Sequence, residues 1–511
     1  MPLGQAGFDL AVANARGLDP VRLGNEAGLE SLKMHPAGFE PTTLGFEDRC
    51  SIQLSYGCVM AHRRSRRPPV NPRMTAAPHF PKMKILLLAC SLLLPLRALA
   101  DEAVPELPAR EALIARIATG VGTLNQTYWS PTLGIWLDRA GDDVRAHYEG
   151  RRNPPWWSSA NAVEVLIDFM KVTGRTDSDA ALGTLYELNK DPRRKAPRII
   201  AELKRRQQWS DADEQEAKRR QQKAEADAKA HPAKAGEAPA TVAYTDFRNE
   251  YLDDSGWWGI AWLKMYDRTR APKYLATARA IHAHMAAGWR PEKEGGIVWC
   301  QDADKQKPNA ITNSLFVILS ARLYQRTHEP ADLQWAQRTL EWERAKALYD
   351  GTGVVDAPGH RGDYWTYNQG AYIGGLTALY QATGEVRYLD EAVTVAGTVL
   401  TRAGLTTPGG VLVEKLGVNG WDPGLFKGVC VRYLGQLRDV LTARRLHAET
   451  AQQIDRCLRA SAASLIRIGP GADGQYPIEW QDGAKDTTTR NFNTQTAALA
   501  LLVALLPDAR P

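Results

Sequence analysis

The feature that most restricts this chain is a repeat written in helices. Thr173, Thr269, Thr327, Thr383 and Thr442 each close an apolar helical run and are followed by another, and the last four stand 58, 56 and 59 residues apart. Four copies share a pattern around the threonine (TGRTDSDAAL, TRAPKYLATA, THEPADLQWA and TGEVRYLDEA), and TARRLHAETA is a looser fifth. A period of this length holds two helices and two connections. A single helical hairpin cannot bury its own apolar faces, so such hairpins must stack. The stretch from Arg110 to Leu506 has room for six. The expected fold class is all-α, an (α/α)6 toroid of six helical hairpins with an inner and an outer ring. An open α-solenoid obeys the same repeat.

The first interval, Thr173 to Thr269, is longer than the others, and residues 191–240 account for the excess. That run is charged, alanine-rich and poor in large apolar residues, so it reads as an insertion that is either a solvated helix or unstructured. Residues 1–82 differ in character from the remainder. They hold none of the 15 tryptophans and no sustained helical period. We expect them to be a spurious, disordered extension. MKILLLACSLLLPLRALA, residues 83–100, has a lysine, an apolar core and a small-residue cleavage site, which is a secretory signal pattern. Its apolar run of about 12 residues falls short of the ~20 that span a bilayer. The expected mature domain is 101–511, periplasmic or secreted, with no stable membrane insertion.

The net charge of +6 suggests a basic protein, but residues 1–100 carry 12 Lys and Arg against 7 Asp and Glu, leaving 52 against 51. Overall charge therefore gives no support to a nucleic-acid partner. The mature part keeps Cys300, Cys430 and Cys457, too few for a disulfide framework. No Cys/His spacing matches a metal site and no glycine-rich phosphate loop is present, so no metal or cofactor is expected. His282 and His284 read as surface residues, and the protein as a monomer.

Counting back about 16 residues from each repeat threonine, roughly four turns, reaches the start of the preceding helix. These starts read WWSSAN (156–161), LDDSGWW (252–258), NAITNS (309–314), YNQGAY (367–372), FKGVCVRY (426–433) and NFNTQT (491–496). In a closed ring they converge on one face. Asn161, Asp253, Asp254, Asn313, Asn368, Gln369, Lys427 and Arg432 then line one pocket, and Trp156, Trp157, Trp257, Trp258, Trp365 and Tyr367 offer an aromatic platform. Helix capping explains any one of the polar residues, and core packing any one tryptophan. Together, aromatic faces with amides and carboxylates suit a sugar. For Lys427 and Arg432 a pocket-shaping role is favoured.

YLDDSGWWGIAWLKMYDRT, KPNAITNSLFVILSARLYQRT, YNQGAYIGGLTALYQATGEVRYLDEA and FKGVCVRYLGQL together resemble glycoside hydrolase family 76, the α-1,6-mannanases and their fungal cell-wall relatives. The resemblance covers most of residues 110–505, and its most specific mark is the aspartate pair ahead of two tryptophans. It implies the toroid, endo-acting hydrolysis of α-1,6-mannan with retention, Asp253 as nucleophile and Asp254 as general acid/base. From the residues alone, either aspartate can take either role. A transglycosylase using the same covalent intermediate and a non-catalytic glycan-binding protein on the same ring are the alternatives.

Overall fold

The computed structural model describes residues 105–230 and 244–506, with interruptions at 142, 150, 153, 292–294, 419 and 485–488. The extension expected at 1–82, the signal segment at 83–100 and the end of the insertion at 231–240 lie outside the described residues. Helices α1 (Arg110–Tyr128), α2 (Val144–Tyr148), α3 (Trp156–Thr173) and α4 (Asp179–Asn189) are followed by α5 (Lys195–Arg205) and α6 (Asp211–Ala230). The chain continues through α7 (Leu252–Thr269), α8 (Pro272–Ala286), α9 (Ala310–Thr327), α10 (Pro330–Ala345) and α11 (Thr366–Thr383). It ends with α12 (Val386–Thr401), α13 (Pro423–Arg444), α14 (Ala448–Ile468) and α15 (Phe492–Ala504). Two short strands, β1 (Trp129–Ser130) and β2 (Ile135–Trp136), pair antiparallel between α1 and α2.

The repeat threonines are hinges with a defined chemistry. The hydroxyls of Thr173, Thr269, Thr327 and Thr383 donate to the carbonyl four residues back at 2.6–3.0 Å. Three of them also accept the backbone N–H two residues on, at Ala271, Glu329 and Glu385. The residue after each threonine, Gly174, Arg270, His328 or Gly384, takes the left-handed conformation that ends a helix. A single hydroxyl thus satisfies the last turn and starts the reversal. In the looser fifth copy α13 runs past Thr442 to Arg444, and Arg445 makes the left-handed turn.

These hinges are short, whereas the connections at the other end, 129–155, 190–251, 287–309, 346–365, 402–422 and 469–491, are long. Helices α3, α7, α9, α11, α13 and α15 pack in succession, and α15 returns to α3, so the ring closes and the open solenoid is ruled out. Burial separates the two rings. Residues Ala310–Leu323 of inner helix α9 are buried on every side, whereas outer helix α14 buries one stripe containing Ile454, Cys457, Leu458 and Leu465.

Inner helices approach so closely that two contacts require glycine. A Cβ on Gly370 of α11 would lie 2.6 Å from Cα of Cys430, and one on Gly428 of α13 would lie 2.6 Å from Cα of Ala497. Both obstacles are backbone and cannot rotate away. Gly428→Ala is expected to lower the unfolding free energy by about 2–3 kcal/mol, read from the denaturant midpoint; a loss below 0.5 kcal/mol on the same estimate would contradict this packing.

The charged insertion is partly docked. Ile199 and Leu203 of α5 are buried, Arg145 of α2 pairs with Asp213 of α6 at 2.8 Å, and Trp209 meets Tyr148 edge to face. It therefore lies in the connection that enters α7, on the long-loop face.

Candidate active site

The aspartate pair occupies the first turn of α7, and the N-cap Tyr251 contributes no side-chain cap. The strap ahead of it is held to the 287–309 loop by Leu252 N donating to Trp299 O (2.8 Å) and Gln301 N donating to Glu250 O (2.9 Å). Asp253 is 2 % exposed, and its Oδ1 has no hydrogen-bond partner. Burial, then the charge of Asp254, push its carboxyl well above the ordinary carboxylate range, while first-turn N–H groups and the nearby Trp299 indole oppose the rise. The indole N–H completes no hydrogen bond. Asp254 is partly exposed, and its Oδ2 accepts the Asn249 amide at 2.8 Å. The two neighbours thus sit in different environments, Asp253 buried and Asp254 partly exposed with a side-chain amide donor.

The aromatic residues divide. Trp257, one helical turn below Asp253, tilts against Trp157 at 5.8 Å, and Trp157 tilts against Phe426. Phe426 stacks on Tyr367 at 4.0 Å and meets Trp365 edge to face. The side chains of α3, α7, α11 and α13, with the Trp365 cap, thereby form one aromatic floor. Trp258 is fully buried and stacks on Trp262, and Trp156 stacks on the buried Phe247. These two expected platform residues are packed with the core aromatics, because the stripe continuing down α7 faces α4 and α8 through Tyr186 and Tyr274.

Several expected sugar contacts instead hold the long loops. Asn313 accepts from Ile297 N and donates to Ile297 O and Asn309 O. Gln369 does the same to Val354, accepting its N–H and donating to its carbonyl. An inner-helix amide here imitates a strand partner, so its hydrogen-bonding groups are committed. Lys427 is buried, donates to Ile478 O at 2.8 Å and lies over Trp480; burial pushes its pKa down to about 7. Asn161 accepts from Arg432, which also pairs with Glu164. Lys427 and Arg432 are thus both committed to buried partners within the protein. Asn368 donates to Asp356 at 2.9 Å, and its own carbonyl oxygen is unpartnered.

The long loops supply polar groups that periodicity does not mark. Asp356 accepts from Asn368 and Tyr367, its Oδ2 is buried without a partner, and burial raises its pKa. Glu414 accepts the Thr366 N–H and hydroxyl at the start of α11, and burial pushes it up to about 7. Asp422 accepts the Trp157 indole N–H at 2.9 Å. The histidines expected at the surface are packed instead: His282 is buried against Ser320, and His284 bonds Asn249 O at 2.8 Å. Among the described residues no group of three or more His, Cys, Asp or Glu is placed to hold a metal ion, and no helix is long and apolar enough to cross a membrane.

A closed α/α ring with adjacent carboxyls over an aromatic floor is the architecture of a toroidal glycoside hydrolase. The chain belongs to glycosyl hydrolase family 76, whose model matches residues 139–511. It is 28 % identical over 298 residues to the mannan endo-1,6-alpha-mannosidase DCW1 of Saccharomyces cerevisiae, covering 53 % of this chain and 64 % of the yeast protein, less than two thirds of its length. Among solved structures it is similar to an α-1,6-mannanase of Salegentibacter sp. HEL1_6, an inactive variant with two aspartates replaced by alanine, in complex with α-1,6-mannotetrose. That match has a TM-score of 0.58 and 24 % identity over 77 % of this chain and 98 % of that one. Dfg5 of Chaetomium thermophilum, in complex with glucosamine, matches with a TM-score of 0.58 and 18 % identity over 79 % of this chain and 93 % of that one.

Proposed function

We propose that the protein is a secreted, endo-acting α-1,6-mannanase that works by retaining double displacement, exported through the segment beginning at Met83. The observation that carries this reading is the environment of Asp253 and Asp254: one carboxyl driven toward its protonated form by burial, its neighbour bonded to an amide donor. A retaining glycosidase needs one carboxyl that keeps a proton for the leaving oxygen and one ionised carboxylate that attacks the anomeric carbon. After the glycosyl–enzyme forms, the first group acts as base and delivers water to the same face. The substrate class is supported by the relatives, which are named for mannan and, in the Salegentibacter structure, hold an α-1,6-linked mannose oligosaccharide.

The family resemblance gives Asp253 the nucleophile's role and Asp254 the acid/base role. A second assignment reverses them, and a specific observation favours it: burial favours the protonated form of Asp253, and the Asn249 amide donates to Asp254.

Incubation of the purified protein with linear α-1,6-mannan tests the activity. Short manno-oligosaccharides whose newly released reducing ends are α-configured, followed by proton NMR, are the expected product. A β-configured first product would rule out double displacement, and mannan binding without turnover would favour the glycan-binding alternative. Products longer than a supplied oligosaccharide would identify transfer to a sugar hydroxyl.

A further inference from the structure

The strap that leads into α7 carries two consecutive non-glycine residues in the left-handed region, Asp246 (φ 55°) and Phe247 (φ 63°). A bulky residue there is strained, and such strain persists only where the surroundings enforce it. The enforcement is visible. Phe247 is 1 % exposed and wedged among Trp156, Trp258, Trp262 and Tyr186, and Asp246 N donates to Lys190 O at 2.6 Å. The next buried residue, Asn249, uses every polar group it has. Its backbone N–H donates to Ser255 Oγ (3.1 Å), its Oδ1 accepts from that hydroxyl (3.2 Å), and its carbonyl accepts from His284 Nε2 (2.8 Å). The remaining amide N–H donates to Asp254 Oδ2 at 2.8 Å.

These bonds fix the amide's direction. Flipping it would point the amide carbonyl at the Asp254 carboxylate, setting two acceptors against each other. The latch also fixes the histidine tautomer: a carbonyl only accepts, so Nε2 carries the proton. We propose that Asn249, set by the Phe247 plug and latched through its carbonyl by His284, is a positioning residue that holds the Asp254 carboxyl in its working orientation. His284 acts one step further back, and neither residue touches substrate. The inference rests on the assignment of Asp253 and Asp254 as the catalytic pair.

The charged groups that face this relay are Asp253 on α7 and Arg248 and Glu250 on the strap. Lys305 of the 287–309 loop lies over the Tyr251 ring and donates to its hydroxyl.

The test compares wild type, Asn249→Ala, Asn249→Ser, His284→Ala and His284→Gln on α-1,6-mannan, each checked for native circular dichroism. Asn249→Ala and Asn249→Ser, both lacking the amide donor, are expected to lose about 10- to 100-fold in kcat with KM changed less than twofold, the cost of a misplaced reacting group. Their pH profiles should also move, because losing a donor to a carboxylate raises the pH at which that carboxylate ionises. His284→Ala should lose several-fold, and His284→Gln, whose amide can donate to the same carbonyl, should recover part of it. Folded Asn249 variants with wild-type kcat and pH profile would overturn the proposal, as would a loss confined to KM. Should the Asn249 variants not fold, equal kcat for His284→Ala and wild type would overturn it. A wild-type protein inactive on mannan would instead refute the activity on which the proposal rests.

Discussion

Asp253→Ala and Asp254→Ala are each expected to lower kcat/KM on α-1,6-mannan at least about a thousandfold, because covalent catalysis and proton transfer each need their own carboxyl. The two variants should nevertheless part company on an aryl α-mannoside with a good leaving group. Such a substrate needs no proton at the departing oxygen, so the variant lacking the acid/base still forms its glycosyl–enzyme and stalls there. Azide then enters from the face where water would attack and yields the α-mannosyl azide. The variant lacking the nucleophile has space where the carboxylate stood, and azide displaces the leaving group directly to give the β-mannosyl azide. The family resemblance expects the β-azide from Asp253→Ala. Burial of Asp253 and the Asn249 donor on Asp254 expect it from Asp254→Ala. Product configuration chooses between them without reference to rate. Should neither variant lose activity on mannan, the pair is a pair of first-turn acids and the chemistry lies elsewhere.

What was legible in the chain follows from what is periodic. The threonine hinges recur because one hydroxyl bonds both the last helical turn and the reversal after it, so the repeat announces the hairpins and their number. Closure was not legible, since it rests on α15 (Phe492–Ala504) meeting α3 (Trp156–Thr173), far apart in the chain. The aspartate pair stood out because its position at a helix start breaks an apolar run. The polar starts of the other inner helices were equally visible, but not their partners. Asn313 and Gln369 look like sugar-binding amides until the loop opposite each supplies a backbone N–H and carbonyl at bonding distance. Asn249, Asp356, Glu414 and Asp422 went unmarked because they lie in the long connections, where no period distinguishes a carboxyl that faces a cleft from one that faces water. Asn249 did leave a signal: it stands four residues before Asp253, close enough to fold back on the start of the helix.

Glu164 is the residue whose loss is expected to damage the fold most. It is fully buried on α3, with Oε1 3.3 Å from Arg432 of α13 and Oε2 3.0 Å from Lys264 of α7, and it ties together inner helices distant in sequence. Burial alone would push its carboxyl up, but Arg432, Lys264 and Arg322 together hold it below the ordinary range. Glu164→Met should cost about 3–5 kcal/mol at neutral pH, since it strands the buried Arg432 guanidinium. Lys264 keeps Asp168 at 2.7 Å, which limits the damage on that side. The pH dependence has a definite sign. A folded-state pKa below the unfolded one gives stability that is complete above the unfolded value of about 4.3 and is lost as pH falls through the folded value. The gap between wild type and variant should therefore be full at pH 7 and narrow in acid. Glu343 works in the opposite direction: burial pushes it up to about 8, so its contribution is complete below about 4.3 and is lost as pH rises toward 8. Denaturant unfolding of wild type and Glu164→Met at pH 7 and stepwise below about pH 4 measures the difference. The double variant Glu164→Met with Arg432→Met identifies its source. If the cost is that of a stranded charge, removing Arg432 as well should restore part of the stability lost with Glu164, despite the lost bond to Asn161. If the double variant is worse by the sum of two independent losses, the pair is not coupled and the buried network does not hold the ring in the way its distances indicate.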